Sequence, residues 1–187
     1  MLLTYAQIET ALQRRFAHVI DDDEIVDLQD LLLIPHLLAP TDSITEFEQA
    51  MGLSLPTSFR QFLNHYQVDD FSVANVQFGQ GEAYLHHVFA MNHADALCPW
   101  WQGEMRPVNQ LLIAVTDGYA LVLDVSTGAV WALNQENSAM DLVAHDFKDF
   151  FHALASVYLS AVGLDAVLAL LNVEPSGFWE QQSQLKG

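Results

Sequence analysis

Basic residues are scarce in this sequence: 6 Lys and Arg stand against 24 Asp and Glu in 187 residues, a formal charge of −18 at pH 7. Apart from the adjacent Arg14 and Arg15, the cations are far apart, at Arg60, Arg106, Lys148 and Lys186, so most carboxylates lack a cationic neighbour along the chain. A surface of that sign repels phosphate backbones, which argues against direct binding of nucleic acid or of an anionic membrane. Cysteine is nearly absent too, and the single Cys98 cannot close an intramolecular disulfide. Met1 to Ile20 lacks the basic start and apolar run of a secretory signal, so a cytoplasmic location is expected. Long apolar runs are also missing: Pro35 interrupts Leu31 to Leu38, and Gly163 with Asp165 interrupts Ala153 to Leu171, both short of a membrane span.

The motifs of familiar chemistries are lacking as well. No Walker-type lysine and no Gly-x-Ser-x-Gly elbow occur, and Gly79-Gln80-Gly81 lacks the third glycine and following helix of a dinucleotide site. Eight histidines are present, but without Cys-x-x-Cys, His-x-His or His-Glu-x-x-His spacing. His86 and His87 are adjacent, and in a strand they would point to opposite faces. Neither a metal nor a cofactor is therefore expected. Cys98 precedes Pro99, Trp100 and Trp101, apolar neighbours that raise a buried thiol's pKa and suit a structural role. Carboxylates are so plentiful that no acid and nucleophile pair can be singled out by spacing, and the chain is not expected to be an enzyme.

Hydrophobic residues make up 51% of the chain and charged residues 16%, enough apolar content for a single sizeable core. Thr4 can cap a first helix through Ile8, Ala11, Leu12, Phe16 and Val19. Asp21, Asp22, Asp23 and Glu24 precede a second helical segment, Ile25 to Leu32, and sit where its unpaired N–H groups favour acids, which alone accounts for the run. Pro40 to Ser43 reads as a linker. Ser43-Ile44-Thr45-Glu46 forms a capping box opening a helix that ends at Gly52. Pro56 at a first helical position introduces Phe59, Phe62, Leu63 and Tyr66 on one face. Phe71 to Phe78 and Tyr84 to Met91 are β-prone. Leu111 to Val115, Tyr119 to Val125 and Ala129 to Leu133, joined at Asp117-Gly118 and Ser126-Thr127-Gly128, read as an antiparallel meander. Asn92 to Pro107 has no period and reads as a loop. Asp146 caps a helix bearing Phe147, Phe150, Phe151, Leu154 and Tyr158, and Asp165 to Leu171 suggests a short last helix.

The words Ile44-Thr45-Glu46-Phe47-Glu48-Gln49-Ala50-Met51-Gly52, then Leu55-Pro56 and Phe62-Leu63, resemble the SUKH superfamily, which includes yeast cell-wall-synthesis regulators and bacterial toxin-immunity proteins. The likeness runs from about Ser43 to Tyr158. Leu123, Asp124, Gly128 and Val130 match its strand, turn and strand, and Phe147 with Phe150 resembles its closing helix. Family members often carry glycine after the second helix; Tyr66-Gln67-Val68-Asp69 has none, so the loop into the sheet is expected to differ. The resemblance implies an α+β fold, a largely antiparallel sheet with helices packed before and after it. Residues 1–40 are expected to form an N-terminal helical extension and residues 41–187 the SUKH-like domain, together one compact unit, with the role of the extension left open.

The resemblance and the unpaired acidity together point to a non-enzymatic binding protein of the immunity type, masking a basic protein such as a nuclease toxin. A regulatory or scaffold module related to cell-wall assembly, and a small hydrolase using unrecognised carboxylates, are the alternatives. The residues expected on the partner face are Asp69, Asp70, Glu82, Trp100, Trp101 and Glu104. Asp69 and Asp70 precede no obvious helix start, although a solvated turn also accounts for them. Adjacent tryptophans in a loop rarely both reach a core, and aromatic anchors are enriched at interfaces, so one of the two can serve a partner, although packing of both against the sheet or helices also accounts for them. The sequence leaves the oligomeric state open.

Overall fold

The computed structural model describes residues 1–20, 30–81, 83–93, 106–159 and 161–185. Within them a six-stranded antiparallel sheet runs in sequence order, β3 (Ser72–Val73), β4 (Val76–Gln77), β5 (Gln110–Val115), β6 (Tyr119–Asp124), β7 (Val130–Asn134) and β8 (Met140–Ala144). A separate two-stranded ladder joins β1 (Ile34–Pro35) to β2 (Tyr66–Gln67). The helices are α1 (Tyr5–Ile20), α2 (Thr41–Met51), α3 (Thr57–His65), α4 (Tyr84–Asn92), α5 (Phe147–Tyr158), α6 (Leu164–Leu171) and α7 (Gly177–Gln184). The fold is mixed α+β, with helices flanking the sheet, as the sequence pattern predicts.

One face of the sheet, with Leu111, Ile113, Leu121, Leu123, Val130 and Val143, enters the main core with α3 and α5. That core is aromatic. Phe62 lies 4.8 Å from Phe151 and 5.1 Å from Phe147, ring centre to ring centre, and Phe59 meets Phe147 at 4.6 Å. Such tilted and edge-on pairs add about 0.5–1.5 kcal/mol each beyond area burial. The other face gathers Leu112, Ala120, Val122 and Leu133, with Met91 of α4 packed against them.

The segment between α2 and α3 is one hydrogen-bonded elbow. Gly52 closes α2 at φ 64°, and its N–H reaches the carbonyls of Gln49 and Glu48, a left-handed stop that glycine adopts without strain. Glu48 then accepts from the Leu55 N–H at 2.8 Å through one carboxylate oxygen and pairs with Arg60 through the other. Phe47 and Leu55 are buried on either side. Ser43, expected to cap α2, sits inside the helix instead. The helix starts at Thr41, and the Pro40 carbonyl accepts from Ile44 N at 3.0 Å. Likewise Pro56 occupies the cap position of α3 rather than its first turn, its carbonyl taking the Arg60 N–H.

Three further differences from the sequence pattern have clear causes. The run Phe71–Phe78 is not one strand but a tight hairpin, β3–β4, turning at Ala74 with φ 56°. Tyr84–Met91 is helical, α4, because Tyr84 and Val88 fall on one buried helical face and the Asp69 carboxylate accepts from the Tyr84 N–H at 2.7 Å. His86 and His87 are thus on a helix, not a strand. Strand β8 and helix α7 have no counterpart in the sequence reading. The turn into β8 repeats the Asp124 turn: the Asn134 side chain accepts from Glu136 N at 2.8 Å, and Ser138 takes φ 59° where the earlier turn has Gly128 at φ 85°. The second helix expected at Ile25 to Leu32 and the acids Asp21 to Glu24 lie largely outside the described residues.

Candidate functional site

Helix α1 approaches the body along α3 and α5. The Leu3 N–H donates to Ser156 Oγ at 2.8 Å, and that hydroxyl donates to the His152 carbonyl at 2.6 Å. Tyr5 lies against four rings, at 6.0 Å from Phe62, 5.3 Å from Tyr66, 5.7 Å from Phe151 and 4.4 Å from His152. One turn further, Glu9 accepts from the Tyr66 hydroxyl at 2.5 Å. Ile8 and Leu12, on the inward face, are buried.

Where α1 meets α3 and the start of α5, these contacts leave an open pocket of about 370 Å³. Its apolar wall is Tyr5, Phe62 and Tyr66, with Glu9 on the α1 side, His65 at the end of α3 and Lys148 on α5. Burial, with Asp146 at the cap of α5 and Asp149 in its first turn adding to it, holds the Tyr5 hydroxyl well above the ordinary phenol range. Burial and the Glu9 carboxylate do the same for Tyr66. Both phenols therefore stay neutral donors and acceptors at any physiological pH.

Beside Tyr66 and His65 of this pocket, β1 leads into an apolar pair. Pro35 of β1 stands opposite Tyr66, and the His36 N–H donates to the His65 carbonyl at 2.7 Å. The next two residues, Leu37 and Leu38, are 98% and 87% exposed.

Of the residues expected on a partner face, Asp69 and Asp70 are described; Glu82, Trp100, Trp101 and Glu104 lie outside the described residues, as does Cys98. Asp69 does serve a helix start, that of α4, contrary to the sequence reading. Its main-chain oxygen also accepts from the Gly81 N–H at 3.3 Å. Gly79 passes so close that a Cβ there would come within 1.7 Å of the same oxygen. This contact, not a phosphate, is what the Gly79-Gln80-Gly81 glycines serve. Asp70 is half-buried beside Gly81.

Other carboxylates are engaged in turns and caps. Burial acts to raise the Asp124 pKa, yet hydrogen bonds from Ser126 and Thr127 outweigh it and hold the group below the usual carboxylate range. Asp146 caps α5, accepting from Lys148 N at 2.8 Å and from the Ser58 hydroxyl at 2.7 Å. No three His, Cys, Asp or Glu side chains converge as a metal site among the described residues. No helix among them is long and apolar enough to cross a membrane.

The SMI1/KNR4 family (SUKH-1) matches residues 38–153. The chain belongs to this family. Helices α2 to α4, the whole six-stranded sheet and the first part of α5 fall in the matched stretch, and the Glu48 elbow is the physical content of its Phe-Glu, Gly and Leu-Pro words. No curated protein matches the chain. Helix α1 lies before the SUKH-1 segment, so the pocket has one wall from the family domain and one from this chain's own extension. The sequence reading missed Tyr5, Glu9, Leu37 and Leu38. Their signal was an i, i+4 pair beside the buried Ile8 and Leu12 stripe, and two adjacent leucines between Pro35 and Pro40.

Proposed function

We propose that this SUKH-1 protein is a non-enzymatic acidic binding protein of the immunity type, acting in the cytoplasm and masking a basic protein such as a nuclease toxin. The observation that carries the reading is the imbalance of charge, 24 acids against 6 Lys and Arg, together with the internal engagement of three of those cations. Arg60 is held by Glu48 and Thr45. Arg106 turns to the carbonyls of Pro107, Val108 and Gln110, and Arg15 lies over the Tyr158 ring at 4.6 Å. Each cation used inside the fold leaves carboxylates at the surface uncompensated. A nuclease must attract phosphate, so its groove is basic, and an array of carboxylates can occupy that groove in place of nucleic acid. Inhibition of this kind needs no chemistry. The partner face under this reading includes Asp69, Asp70, Glu82, Trp100, Trp101 and Glu104.

Co-expression with the neighbouring reading frame, followed by a pull-down and a toxicity assay, tests it. A complex that protects the cell and loosens as salt rises is expected, because screening shortens to about 10 Å at 0.1 M. Absence of both partner and protection removes the reading.

The exposed Leu37 and Leu38 favour a second reading, a regulatory or scaffold module that docks through apolar contact. Binding of that kind changes little with ionic strength.

A further inference from the structure

We infer that the pocket between α1, α3 and α5 receives an arginine side chain from a basic protein partner, with Leu37 and Leu38 packing on the apolar residues beside that arginine. This rests on the acidic-binder reading and names where the partner engages. Tyr5 is half-buried and offers ring surface to a flat cation and its methylene stem, with the buried rings of Phe62 and Tyr66 behind it. Glu9 is half-buried at the same opening and uses one carboxylate oxygen on the Tyr66 hydroxyl. Its second oxygen has no partner among the described residues. Guanidinium suits this combination better than ammonium, because it stacks on rings and presents a fork of donors to a carboxylate.

Charge favours a cation over an anion. Asp146 and Asp149 act on Tyr5 and Glu9 acts on Tyr66, whereas the basic side chains lining the pocket are Lys148 and His65. Lys148 is exposed and competes with an incoming cation from the α5 side. Its removal should therefore tighten binding, the opposite sign from the loss of Glu9. The extension supplies both Tyr5 and Glu9, so it gives this SUKH-1 chain a recognition element that the matched segment does not contain.

The test titrates isotope-labelled full-length protein with N-acetyl-argininamide and, separately, with its neutral isostere N-acetyl-citrullinamide, following aromatic ring signals by NMR. Saturable shifts of Tyr5, Phe62 and Tyr66 with the arginine amide only are expected. Glu9→Gln, which keeps an acceptor for the Tyr66 hydroxyl, should weaken binding about fivefold, and Lys148→Gln should tighten it. Equal response to citrulline amide, no saturable shift, or an unchanged affinity in Glu9→Gln overturns the inference. Should Glu9→Gln fail to fold, Lys148→Gln decides alone, and unchanged or weaker binding there overturns it. A short poly-arginine peptide separates this inference from the reading beneath it. Salt-sensitive peptide binding that leaves the pocket signals unmoved removes the pocket and keeps the acidic binder, while no peptide binding at all removes both.

Discussion

The indole N–H of Trp179 donates to the carbonyl of Val143 at 3.2 Å, and Val143 is the residue at which β8 slips out of register with β7. The other irregularity of the sheet, at Ile113 in β5, is served in the same way: the Tyr84 hydroxyl donates to the Ile113 carbonyl at 2.8 Å. A bulge leaves a main-chain group without its ladder partner. In this protein a helix on the sheet supplies the missing donor each time, α7 at one bulge and α4 at the other.

Trp179→Phe and Tyr84→Phe keep most of the buried ring and remove only the donor. Each should lower stability by about 1–3 kcal/mol, the cost of an unsatisfied buried carbonyl. Urea denaturation with an unchanged slope reads this directly. A loss below a few tenths of a kcal/mol in both variants would show that the bulge carbonyls find other partners.

Gly79→Ala should be damaging, because Gly79 is buried although the next two residues are exposed. The added methyl would meet the Asp69 main chain at 1.7 Å, so backbone must move. Overpacking of this kind costs about 1–3 kcal/mol, and because Asp69 also caps α4, amide exchange over Tyr84 to Asn92 should accelerate along with the drop in melting temperature. Unchanged exchange in α4 would separate the two contacts.

At the α2–α3 elbow, Glu48→Gln retains an acceptor for the Leu55 N–H while losing the ion pair with Arg60. Glu48→Ala loses both. The alanine variant should lose about 1.5–3 kcal/mol and the glutamine variant clearly less, measured by the same denaturation. Equal losses would assign the whole effect to charge.

Acid should loosen the seat of α1. Burial holds the His152 pKa below the usual imidazole value, Lys148 pushes it the same way, and Asp149 and Asp146 oppose. Its Nε2 is buried with no hydrogen-bond partner among the described residues. The unfolded chain therefore takes up this proton first, so stability is complete above the ordinary histidine pKa and falls as pH drops toward the lower native value. Between about pH 7 and pH 5 the stability curve of His152→Leu should be flatter than that of the parent. Parallel curves would show that other groups carry the acid sensitivity.

Composition and spacing were enough for the parts whose cause is local. Phe59, Phe62 and Leu63 define the buried face of α3, Gly52 its neighbour's stop, and Asp146 the start of α5, because each works through residues within a turn or two. The meander was readable from Asp117-Gly118 and Ser126-Thr127-Gly128 for the same reason. Strand β8 escaped because its turn places Ser138, not glycine, at positive φ. Helix α4 escaped because its cap, Asp69, comes from a loop fifteen residues earlier.

The sequence alone determined the sign of the surface and the SUKH-like order of helices and strands, since charge counts and short-range periodicity do not depend on which segments meet. Only the tertiary structure decided where a pocket lies and which carboxylate faces it. Glu9 reaches Tyr66 across 57 residues of chain, and which distant segments meet is settled by the packing of the shared core, which no local pattern encodes.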